Sequence, residues 1–182
     1  MSRPLRNWFI QEARQTYTVG DDGLPVRLYT ELRVEALALL EKIVYVFDTD
    51  KLSITGIDGC EADKVVRDEH EPDKYWSVTL ELDPPLERGE VRDISYRTAF
   101  SYASPPPNEI VQSGGALGIK RVRLSVHFQP RKLPRVVRQV LRDPEGTVLK
   151  TTVLGFVPAS FRVESEAISL PPDHQFLIEW EW

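Results

Sequence analysis

The chain has 182 residues, 41% hydrophobic and 28% charged, with a formal net charge of −5. These values fit a single globular domain with a sizeable core and disfavour general nucleic-acid binding, for which a basic domain is expected. No apolar run approaches the ~18 residues of a membrane span, and the single cysteine, Cys60, excludes an internal disulfide and a multi-cysteine zinc site.

The N-terminal stretch "MSRPLRNWFIQEARQ" carries arginines but no apolar run long enough for a signal peptide, so a cytoplasmic location is expected. Leu5, Trp8, Phe9 and Ala13 fall near helical spacing, which predicts a short helical arm over residues 1–18 ahead of a β domain over 19–182. In "TELRVEALALLEKIVYVFD", helix formers compete with a period of two. Leu32, Val34 and Ala36 alternate with Glu31, Arg33 and Glu35, and Val44 to Phe47 are strongly β-forming. Two strands with a break near Leu39–Glu41 are predicted.

Alternation is clearest further on. Val78, Leu80 and Leu82 interleave with Thr79, Glu81 and Asp83. Ile94, Tyr96, Phe100 and Tyr102 share a parity, as do Val122, Leu124, Val126 and Phe128, and again Phe176, Ile178, Trp180 and Trp182. Pro- and Gly-rich segments such as "DPPLERGE", "SPPPNE", "QSGGALG" and "LPPDHQ" separate these runs. The class this predicts is mainly β: an antiparallel β-sandwich, immunoglobulin-like or related.

The stretch "RKLPRVVRQVLRDPEGTVLK" admits two readings. At helical spacing Arg131, Arg135, Arg138 and Arg142 line one face, the pattern of a basic helix for nucleic acid or an acidic partner. Turn chemistry favours a hairpin instead: Asp143, Pro144 and Gly146 occupy the preferred first, second and fourth positions of a type I turn. The β-branched residues before and after it suit strands, and Pro134 is badly placed inside a helix.

Charge is unevenly spread: eight Lys/Arg and no acid from Lys120 to Arg142, against fourteen acids and six bases from Asp48 to Asp93. Solvated strand faces explain both segments, although such asymmetry also steers partners. "GIDGCEAD" offers Asp58, Cys60, Glu61 and Asp63, but the spacing does not match an EF-hand loop. Cys60 shares no nucleophile motif with His70, His127 or His174. Ser113, Gly114 and Gly115 lack the lysine of a phosphate loop. Trp180 and Trp182, with Trp76, invite a sugar-stacking role, yet the first two share a parity with Phe176 and Ile178 and are expected in the core.

The segment "VTLELDPPLERGEVRDISYRTAFSY" resembles a strand–"PL.GE"–strand unit of bacterial β-sandwich domains, and the later order, "RLSVHFQPRKLPRVV" through the terminal "FLIEWEW", resembles β-sandwich domains appended to helix-turn-helix regulators of the Xre type in actinobacteria. No helix-turn-helix segment is present, so the resemblance implies a sensing or interaction module in a bacterial regulatory or effector system, without DNA binding. No catalytic, cofactor-binding or metal residues are assigned, and no cofactor is expected. The expected function is a non-catalytic module that binds a protein partner or itself, most simply as a homo-oligomer. Its candidate surface is Trp8, Phe9, Arg121, Arg123, Arg135, Arg138 and Arg142. The rival readings are a hydrolase whose site is assembled from separated residues and a nucleic-acid binder using residues 120–142. Nucleic acid and membranes are not expected partners.

Overall fold

A computed structural model describes residues 7–48, 51–67, 75–101 and 108–182. In chain order the strands are β1 (Trp8–Val19), β2 (Pro25–Ala36), β3 (Leu40–Asp48), β4 (Lys51–Asp58), β5 (Glu61–Arg67), β6 (Tyr75–Leu86) and β7 (Val91–Ser101). There follow β8 (Glu109–Ser113), β9 (Ile119–His127), β10 (Val136–Arg142), β11 (Val148–Val153), β12 (Arg162–Leu170) and β13 (Gln175–Glu181). The only helical turn among the described residues is a short 3-10 turn, Gly115–Leu117. No helix among them is long and apolar enough to cross a membrane.

The strands form three sheets. The largest has the order β12-β9-β1-β2-β7-β4, the second β11-β10-β13-β8 and the third β3-β6-β5. Among the described residues all strand pairings are antiparallel except β1 with β9, which run parallel from Ile10↔Ile119 to Thr18↔His127. A parallel pair cannot be closed by a hairpin, and here the connection spans most of the chain. The inner faces of the three sheets meet in one core. Ala13, Leu32, Ile94, Val122 and Leu124 come from the large sheet, Val137, Ile178 and Trp180 from the second, and Ile43, Val78 and Leu80 from the third. The expected mainly-β architecture with sheets packed face to face is therefore present.

Residues 8–18 correct the expected N-terminal helix. They belong to β1, held between β2 and β9 with Trp8, Ile10, Ala13 and Val19 buried. A bulge at Gln11–Glu12 shifts the register, so the apolar spacing changes from two to three and imitates a helical stripe. Residues 1–6 lie outside the described part. The break expected near Leu39–Glu41 falls between the end of β2 at Ala36 and the start of β3 at Leu40.

Residues 136–153 form the expected hairpin. β10 and β11 pair antiparallel, and the Gly146 N–H donates to the Asp143 carbonyl at 3.0 Å while the Thr147 N–H donates to Asp143 Oδ1 at 2.7 Å. Gly146 takes φ 85°, the left-handed conformation that follows a type I turn in three-residue hairpin loops. The basic-helix reading thus fails on the turn it overlooked.

Candidate functional site

The outer face of the large sheet carries the densest set of charged side chains. Period-two geometry puts every second residue of each strand there, and the register aligns them into rows. One row crosses all six strands: Glu166, Arg123, Arg14, Glu31, Ser95 and Asp58. Beside it run Ile168, Arg121, Glu12, Arg33 and Asp93. The parallel β1–β9 pairing creates these rows, because it sets residues 12–14 beside residues 121–123.

The face is not flat. Two open depressions of about 480 and 650 Å³ lie along it and share Arg14 and Glu31, forming one trough. Its two ends differ in charge pairing. At the β9–β12 end, Glu166 accepts from Arg121 and, at 3.2 Å, from Arg123 Nε. Arg14 lies 2.9 Å from Glu12, and Arg162 lies 3.0 Å from Glu164. The hydrogen bond from Arg121 holds the Glu166 carboxyl below the usual carboxylate range, with Arg123 adding to the effect. Such exposed pairs contribute little stability each, but they neutralise one another.

At the β4–β7 end, Glu31, Arg33, Asp58 and Asp93 line the depression beyond the Glu12–Arg14 pair, and none of the four makes an ion pair among the described residues. Ile57 is exposed beside them. Three carboxylates and one guanidinium therefore leave this end acidic, with an apolar contact at its rim. Asp58 is set by the β4–β5 turn. There Gly59 takes φ 68°, and a Cβ on it would overlap the Asp93 carbonyl oxygen. The Cys60 thiol donates to the Ser95 carbonyl at 3.6 Å, and burial, with the Asp58 carboxylate nearby, pushes its pKa up. A raised pKa opposes nucleophilic use.

The seven residues expected to form one interaction surface occupy several places. Trp8 is buried in the core, and Phe9 lies under the Lys120 ammonium at 5.3 Å. Arg121 and Arg123 stand at the trough. Arg138 and Arg142 stand on the outer face of the second sheet, paired with Glu179 and, respectively, with Glu181 and Glu109. There Val140 and Leu177 remain buried, although they share the face of those arginines. Arg135 is exposed, and its backbone N–H donates to the Glu181 carbonyl at 2.7 Å. The structure joins Arg121 with Arg123 and Arg138 with Arg142, but not the two pairs with each other. Among the described residues, the ion pairs of the basic segment are with Glu12, Glu109, Glu166, Glu179 and Glu181.

The other singled-out residues have local roles. Trp180 is buried, packed edge-on to Phe128 at 5.5 Å. The Trp182 Nε1–H donates to Asn108 Oδ1 at 3.1 Å, with Lys132 over its ring. His127 is exposed on β9, and His174 Nδ1 lies 2.9 Å from the Pro172 carbonyl. His70 lies outside the described residues. No cluster of His, Cys, Asp and Glu among the described residues is arranged to hold a metal ion. Glu12, Arg14, Glu31, Arg33, Asp58 and Asp93 were not singled out together from the sequence, since only the strand order gathers them.

Solved structures share this architecture. A Parabacteroides distasonis protein described as a candidate protease aligns with TM-score 0.60 at 10% identity, over 97% of this chain and 40% of that one. An M1 zinc metallopeptidase from Deinococcus radiodurans aligns with TM-score 0.53 at 14% identity, over 96% of this chain and 42% of that one. At such identities the likeness is one of fold alone, and this chain spans about two-fifths of the length of those proteins. No protein-family model matches the chain, and no curated protein matches it in sequence.

Proposed function

We propose that this chain is a non-catalytic β module that recognises a protein partner through the trough on its large sheet. One observation carries the reading: the trough is self-neutralised at the β9–β12 end and left acidic at the β4–β7 end, beside exposed Ile57. Unpaired carboxylates at an open surface favour a basic segment, and an apolar rim residue adds contact area for it. The resemblance to domains of Xre-type regulators supports a place in a bacterial regulatory or effector system.

Titration with a short Lys/Arg-rich peptide, followed by calorimetry at several salt concentrations, tests this. Binding that weakens with salt and disappears in the Glu31→Gln, Asp58→Asn, Asp93→Asn triple variant is expected. Equal affinity for a Glu-rich peptide would defeat the reading.

The similar metallopeptidases motivate a second reading, in which the chain works beside a separate catalytic domain. Their alignment over about two-fifths of their own length favours it. The purified chain is then expected not to turn over fluorogenic aminoacyl substrates, with or without added zinc. Turnover by the chain alone would instead revive the hydrolase alternative.

A further inference from the structure

Among the described residues, β11 is the outermost strand of the second sheet and is paired only with β10. All six of its residues are exposed, on both faces, including Val148 and Leu149 at 54% and Val153 at 69%. Such an edge presents unpaired N–H and C=O groups beside apolar side chains, a template for another strand. β10 holds it in extended form from Arg138↔Val153 to Arg142↔Val148, so no ordering of the strand is needed before it pairs.

We propose that the occupant of this edge is the β11 of a second copy, paired antiparallel about a two-fold axis through Thr151. This inference rests on the chain being a binding module, but it uses a different surface from the trough. The sequence "VLKTTV" selects the occupant and the register. A two-fold axis perpendicular to the sheet keeps each residue on its own face, so paired residues must share a parity. Centring on Lys150 sets two ammonium groups opposite each other, which disfavours that register. Centring on Thr151 sets Thr151 opposite Thr151, Lys150 opposite Thr152, and Leu149 opposite Val153 twice. Threonine pairs and aliphatic pairs are favourable cross-strand neighbours, and no like charges meet. Two four-stranded sheets then become one eight-stranded sheet, and Leu149 and Val153 of each edge gain an aliphatic neighbour across the axis.

Sedimentation velocity on the whole chain tests the proposal. The wild type is expected to dimerise, and Thr151→Lys, which sets like charges at the axis, to sediment as a monomer with an unchanged thermal melt. In a Cys60→Ser background, Thr151→Cys is expected to give a disulfide-linked dimer on oxidation, whereas Lys150→Cys gives none. A wild type that stays monomeric at about millimolar concentration, or a dimer that survives Thr151→Lys, overturns the proposal. The trough triple variant separates the two readings: it should lose peptide binding and keep the dimer, and a dimer lost in that variant would also overturn the β11 assignment.

Discussion

Strands β1 and β11 have the same extended backbone and opposite circumstances. β1 lies between β2 and β9, with both edges paired and Ala13 fully buried. β11 has one neighbour and no buried residue. The difference teaches that extended geometry carries little stability alone; the number of neighbours and the layer above decide it. A change in β1 should therefore act on folding, and a change in β11 on association.

The largest expected effect breaks that contrast most directly. Ala13→Asp would bury a carboxylate in the core without a partner, and loss of the folded state is expected, at ~4 kcal/mol or more. Thr151→Lys should stay within ~0.5 kcal/mol in urea denaturation of the monomer. Comparable losses in the two variants would break the comparison.

Two turn glycines sharpen it, Gly59 between strands of different sheets and Gly146 in the β10–β11 hairpin. Gly59 is pressed against β7, so alanine there meets both left-handed strain and overlap with Asp93, and a loss of ~3 kcal/mol is expected. Gly146 has open space around it, so Gly146→Ala should cost only the conformational strain, ~1 kcal/mol. Denaturant midpoints measure both.

A smaller effect concerns polar groups on the inner face. Gln15 and Thr30 sit opposite each other across β1 and β2, with Gln15 Oε1 and Thr30 Oγ1 buried and without hydrogen-bond partners. Thr30→Val is expected to raise stability by ~1 kcal/mol, by removing a group desolvated without compensation. A loss instead would indicate that an ordered water bridges the pair.

The smallest effect is a pH dependence. His127 is exposed as a whole, yet partial desolvation of its ring and then Arg162 lower its pKa, while Glu164 opposes them. The unfolded chain therefore binds the proton more readily than the folded one. Stability from this group is complete above the ordinary value of about 6.5 and falls as pH drops toward the folded-state value. His127→Gln should flatten the urea midpoint against pH on the acid side of neutrality.

Much of the architecture was legible because alternation runs through Val78–Leu82, Ile94–Tyr96 and Val122–Phe128 and the "DPEG" turn names its own geometry. β1 was hidden by its bulge, which replaces a spacing of two by three between Ile10 and Ala13. The trough was hidden for another reason. Glu12, Glu31, Asp58 and Asp93 each look like ordinary outward residues of their own strands, and only the order β9-β1-β2-β7-β4 sets them side by side. Local pattern states which way a side chain points, but not whose neighbour it becomes.

The parallel pairing of β1 with β9 also has a consequence during translation. β1 and β2 can form their hairpin as soon as both leave the ribosome, yet Ile10 must wait for Ile119. At ~5–20 residues per second that delay lasts roughly 5–20 s. Throughout it, one edge of a strand bearing Trp8 and Ile10 has no mate, and nascent chains on the same polysome offer each other that edge. The fold thus places its greatest hazard of misassembly in synthesis, before the sheet is closed.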